Sequence, residues 1–145
     1  MNDPALISKI LSKAQTIAVA GMSDNPDRDS HHVGAYLAQE GYRVLPVNPG
    51  IETISGMTCY PSLDAAQDAA REQNGLGIDV VDVFRASEHV AAIVDDVIRL
   101  GIPYLWLQDG VINDAAVARA RAAGVGCVVD DCIFRQHSRR RSSGQ

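Results

Sequence analysis

Thr16-Ile17-Ala18-Val19-Ala20-Gly21 is an almost wholly apolar run stopped by a glycine. A strand that is apolar on both faces belongs in the middle of a sheet with helices covering each side. A polar stretch follows over residues 21–30. A helical pattern then spans residues 31–40, with Val33, Tyr36 and Leu37 at helical spacing and Gly41 as its stop. Arg43-Val44-Leu45-Pro46-Val47 is a second short strand. Strand, helix and strand in that order form a βαβ unit, and its parallel strands decide the fold class.

The alternation continues in both directions. Upstream, residues 4–13 predict a leading helix with Leu6, Ile7, Ile10 and Leu11 on one face. Downstream, a short element surrounds residues 56–60, and an Ala-rich helix spans residues 63–73 before the turn Asn74-Gly75-Leu76-Gly77. Residues 78–84 read as a β-branched strand and residues 87–100 as a helix closed by Gly101. Residues 103–107 are a strand, residues 113–123 a helix ended by Gly124, and residues 126–129 the final strand.

The expected architecture is α/β: a single doubly wound, mostly parallel, Rossmann-like sheet with helices on both faces. It is expected to occupy residues 1–137, with residues 138–145 as a basic, disordered tail. In such a fold ligands lie outside the carboxyl ends of the strands. Chemistry should therefore sit in segments 21–30, 48–50, 85–87, 108–111 and 130–132.

Composition excludes several classes of function. The 145 residues are 46% hydrophobic and 21% charged, as in an ordinary globular domain of one core. A formal net charge of -5 argues against general nucleic-acid binding, which needs a basic surface. No apolar run approaches the roughly 20 residues that span a bilayer, so no membrane role is expected. The N-terminal Met1-Asn2-Asp3-Pro4 lacks a basic segment before an apolar stretch, and three cysteines do not make a disulfide framework. A cytoplasmic protein with reduced thiols is the simplest expectation.

The loop over residues 21–30 combines four features suited to a diphosphate. Gly21 lets an anion approach the main chain, and Ser23 offers a hydroxyl. Ser30 stands where a helix N-cap is expected, with free amides beyond it. Arg28 adds a planar fork of donors. The dinucleotide fingerprint G-x-G-x-x-G is missing, since Ser23 and Pro26 replace its later glycines. The second strand also ends in Pro46-Val47-Asn48-Pro49, without the acidic residue that holds a ribose diol. NAD is therefore the weaker cofactor candidate.

Gly21-Met22-Ser23, Asn25-Pro26, Arg28 and Ser30, followed by Val33 and Tyr36-Leu37, resemble a segment written G-A-S-x-x-P-x-R-P-S…V…Y-L. It is found in the small stand-alone CoA-binding proteins, which are similar to the N-terminal domain of the succinyl-CoA synthetase alpha subunit. Pro46-Val47-Asn48-Pro49, Tyr60-Pro61-Ser62-Leu63 and Val81-Asp82-Val83-Phe84-Arg85 look like later blocks of that family. So do Leu105-Trp106-Leu107-Gln108 with Gly110-Val111, and Asp130 with Cys132. The resemblance spans about residues 5–137.

It implies a module that holds coenzyme A, or an acyl-CoA, at the carboxyl edge of the sheet. By position, Gly21, Met22, Ser23, Arg28 and Ser30 would meet the phosphates, and Val47, Asn48 and Pro49 the adenine and ribose. Phe84 and Arg85 would line the next part of the groove, with Trp106 and Gln108 nearer the pantetheine. The chemistry of the synthetase resides in a further domain and a second subunit, so no catalytic set is expected here. Two departures stand out: Asp29 replaces the usual proline, and Asp131 a common arginine. They imply a weaker hold on CoA or a preference for another nucleotide.

Other constellations carry less. Adjacent His31 and His32 cannot share one helix face as metal ligands, so no metal site is expected. Cys132 with His137 would be a nucleophile and base, giving a small acyl-CoA-dependent enzyme as one rival reading. An NAD(H)-binding redox sensor on a similar fold is the other. Asp79 and Asp82 do not read as a catalytic carboxylate pair. A homodimer is compatible with the sequence, which points to no protein partner.

Overall fold

The computed structural model describes residues 2–142. Five parallel strands form one sheet: β1 (Thr16–Ala20), β2 (Arg43–Val47), β5 (Val80–Val83), β6 (Tyr104–Leu107) and β7 (Gly126–Val128). Their spatial order is β2-β1-β5-β6-β7. A separate antiparallel pair, β3 (Thr53–Ile54) and β4 (Met57–Thr58), lies between β2 and the next helix in sequence. The order reverses between β1 and β5, which is where an open α/β sheet of this kind leaves its ligand crevice.

The helices divide between the two faces by the alternation of the strands. Ile17, Val19, Val80, Trp106 and Val128 face α1 (Pro4–Lys13), α2 (Asp29–Gln39) and α6 (Ile133–Ser142). Ala18, Val81, Val83, Leu105 and Leu107 face α3 (Leu63–Asn74), α4 (Val90–Leu100) and α5 (Asp114–Ala122). Each strand in the middle of the sheet is thus buried on both sides, as its unbroken apolar sequence requires.

Local chemistry sets the helix ends. Asp3, Ser62 and Asn113 accept hydrogen bonds from first-turn amides of α1, α3 and α5. Gly75 and Gly101 end α3 and α4 in the left-handed conformation. Among the described residues no helix is long and apolar enough to cross a membrane.

Two features differ from the sequence expectation. Helix α6 was not anticipated, and it carries residues 138–142, which were expected in a disordered tail. Ile133 is its buried anchor, while Arg140 reaches Ser8 and Arg141 pairs with Glu40 at 2.9 Å. A helix with so little buried apolar surface does not stand out by periodicity. Residues 143–145 lie outside the described residues. The second difference is the start of α2, which begins at Asp29 with Arg28 at the cap position. Ser30 is therefore inside the helix, so its hydroxyl is not the N-cap.

Candidate functional site

The ends of β1, β2, β5 and β6, with the residues after β7, form one rim, and the loop over residues 21–30 crosses it at the point of reversal. Gly21 has φ +85°, and its N–H donates to the Val47 carbonyl at 2.8 Å. A Cβ here would lie 2.8 Å from Arg85 Cδ and 3.2 Å from the Phe84 carbonyl, so only glycine lets the two switch-point loops meet.

The loop is tied down by its own polar groups. Ser30 Oγ accepts from the Ser23 N–H at 2.9 Å, which is the task its hydroxyl performs in place of a cap. Ser23 Oγ accepts from the Asn25 N–H, and Asn25 Oδ1 from the Asp27 N–H, both at 3.0 Å. His31 Nδ1 hydrogen-bonds the Ser23 carbonyl at 2.9 Å. Asn48, at the end of β2, donates through Nδ2 to the Met22 carbonyl at 3.0 Å. Sequence reasoning missed the part of His31, because a histidine's partner across a loop leaves no spacing signal.

Two arginines belong to the switch-point loops, Arg28 within this one and Arg85 just after β5. Arg28 is exposed and Arg85 half-buried, and neither guanidinium has a hydrogen bond or ion pair among the described residues. By contrast, Arg135 on α6 is committed: it grips both Asp109 oxygens at 2.9 and 3.0 Å and reaches Asp131 at 2.8 Å. That grip holds the Asp109 carboxyl below the usual range. Asp131, the departure from the family arginine, also accepts from the Cys132 N–H and from Gln136 Nε2. It organises the entry to α6.

A groove of about 770 Å³ continues from the loop along the rim between α2 and α6. Val33, Tyr36, Phe84, Val111 and Phe134 give it apolar walls, and His32, Gln108, Asp109 and Cys132 supply polar groups. This size and mixture are typical of small-molecule sites. Asp29 lines it as well, at the first turn of α2, where a negative charge complements the helix dipole.

The predicted residues fall into three groups. Gly21, Ser23 and Arg28 belong to the loop, Arg85 packs against Gly21 and Asn48 bonds the Met22 carbonyl, with Val47 buried at the end of β2 and Pro49 exposed after it. Phe84 and Gln108 line the groove. The side chains of Met22 and Trp106 do not face it. Met22 is buried under α2, where a Cβ on Gly34 would fall 2.4 Å from its sulfur. Trp106 is wholly buried and donates its indole N–H to the Asp131 carbonyl at 3.0 Å, making it a floor for the rim.

The nucleophile–base pairing of Cys132 with His137 is not formed. His137 Nδ1 shares a 2.7 Å hydrogen bond with the Tyr36 hydroxyl, and its ring packs edge-on against Tyr36 and Tyr42. Burial lowers its pKa. No metal-binding group of His, Cys, Asp or Glu occurs among the described residues. Asp79 accepts from the Gln15 and Thr16 amides at the start of β1, whereas Asp82 is buried in β5. The two aspartates are thus apart in role and place.

Comparison with known proteins fits this geometry. The profile of a family described as a CoA binding domain matches residues 15–138. The uncharacterized protein YneT of Bacillus subtilis (strain 168) is 35% identical over 134 residues, covering 92% of this chain and 93% of that protein. A hypothetical protein from Pyrococcus horikoshii OT3 superposes with a TM-score of 0.81 at 36% identity, covering 92% of this chain and 88% of that one. The dinucleotide-forming acetyl-coenzyme A synthetase 1 of Ca. Korarchaeum cryptofilum shares the fold alone. Its TM-score is 0.67 at 22% identity, over 83% of this chain and 27% of the synthetase.

Proposed function

The chain belongs to the CoA binding domain family, and from this we propose that it is a module for CoA or an acyl-CoA that performs no chemistry by itself. One observation carries the reading: Arg28 and Arg85 flank the point of strand reversal with their guanidiniums uncommitted. Planar forks of donors suit phosphate oxygens. The same loops carry the backbone at Gly21, Met22 and Ser23 and lead into the first turn of α2, whose amides favour anions. The Ser30 oxygen accepts within the loop and keeps its O–H to donate to a phosphate.

In this reading the diphosphate lies on that loop, and the adenine and ribose lie beside Val47, Asn48 and Pro49. The pantetheine passes Phe84 and Arg85 and runs over the Trp106 floor towards Gln108. The rim from β2 to β7 is about 19 Å long at 4.7–4.9 Å per strand step. An extended cofactor fits such a track. A reducing, cytoplasmic setting belongs to the same reading, with three free thiols.

Isothermal titration with reduced CoA, repeated in the presence of NADH, tests it. CoA is expected to bind, and NADH to leave that binding unchanged. NADH binding with silence towards CoA would replace this reading by the redox-sensor one.

A further inference from the structure

Cys132 stands at the far end of the groove, beyond Gln108, in the residues that follow β7. It is the half-buried cysteine of the three, whereas Cys59 and Cys127 are buried. Burial raises the pKa of both of those thiols. A thiol exchanges disulfides through its thiolate, so the two buried thiols are poorly placed for it and access directs such chemistry to Cys132.

A second observation points to a ligand at the same place. Gln108 is only 5% exposed, yet its side chain lines the groove. Its Oε1 accepts from the N–H of Ile133, the residue after Cys132, at 3.1 Å. Its Nε2 has no protein partner among the described residues and is open to solvent, so it is left for whatever occupies the groove. With its oxygen anchored, Gln108 leaves this donor in the wall of the groove that Cys132 also lines.

We infer that Cys132 is an attachment site for the thiol end of CoA, forming a mixed disulfide by exchange with CoA disulfide. This rests on the CoA reading above, which runs the pantetheine towards that end of the rim. The Cys132 thiol releases its proton to water, and the thiolate attacks one sulfur of CoA disulfide. A Cys132–CoA disulfide forms, the original sulfur–sulfur bond breaks, and the second CoA departs as a thiolate. No external oxidant is consumed. The free Gln108 donor is placed to hold an amide carbonyl of the pantetheine arm while exchange occurs.

The test exposes the whole protein to CoA disulfide or to glutathione disulfide at equal concentration and follows intact mass with peptide mapping. One CoA, less two hydrogens, should add at Cys132. Binding in the groove should make this faster than glutathionylation by roughly tenfold or more, through effective concentration. The adduct should vanish on reduction and be absent in Cys132→Ser. Equal rates with the two disulfides, an adduct mapped to another cysteine, or no adduct would overturn the inference. Titration of the wild-type protein with reduced CoA under a non-thiol reductant separates the two claims. Binding there without selective exchange removes only the attachment site, and no binding removes the CoA reading itself.

Discussion

The N–H of Ser23 donates to the Oγ of Ser30 at 2.9 Å, closing the loop after β1 onto the first turn of α2. One hydroxyl thereby fixes the loop and still has a proton to offer. Ser30→Ala should cost about 0.5–1.5 kcal/mol of stability. It should also weaken CoA binding by more than the loss of a neutral surface contact. Urea denaturation and calorimetric titration of the same preparation check both effects.

Arg28→Ala should lower CoA affinity by about 1.5–3 kcal/mol, the range for a hydrogen bond to a charged group. Stability should barely change, since Arg28 is exposed and its side chain has no partner among the described residues. Titration calorimetry with thermal denaturation as control measures the split. Unchanged affinity would remove Arg28 from the site.

Gly34 lets α2 settle on Met22. A Cβ there would meet Met22 Sδ at 2.4 Å and Cε at 2.5 Å, far inside contact distance. Gly34→Ala should destabilise by about 1–3 kcal/mol through overpacking. It should also disturb the loop over residues 21–30, to which Met22 belongs. The double variant Gly34→Ala/Met22→Ala should be less destabilised than the two single effects added together, because they share one contact. Urea midpoints of the four proteins give the coupling.

Asp82 lies in β5 between Val19 and Trp106, wholly buried, with both carboxylate oxygens unpartnered. Burial pushes its pKa well above the usual carboxylate value. The folded protein therefore keeps a proton that the unfolded chain gives up above about pH 4, so this group's contribution to stability falls as pH rises. The slope is at most about 1.4 kcal/mol per pH unit for one proton. Asp82→Asn should remove that slope, which denaturation at several pH values would reveal.

The apolar runs made the main sheet and helices α1 to α5 readable in the sequence. Strands such as Thr16–Ala20 are buried on both faces and carry few polar residues. The loop residues Gly21, Ser23 and Arg28 were readable as a group because they adjoin in sequence. What escaped depended on contacts between distant residues. On its strand Trp106 reads as core more readily than as a stacking platform, and its place under the rim emerges only when its indole is seen bound to the Asp131 carbonyl. Helix α6 draws its hold from single long-range pairs, including Arg135 with Asp109 and Arg141 with Glu40, which leave no periodic trace. His137 found Tyr36 across 101 residues of sequence, so its pairing with Cys132 could not be judged from spacing.

Backbone amide shifts recorded while reduced CoA is added test most directly whether the ligand's diphosphate sits between Arg28 and Arg85. The largest changes should fall on residues 21–30, with smaller ones at Asn48, Phe84 and Gln108. Saturable binding whose shifts leave residues 21–30 unmoved would contradict the assignment.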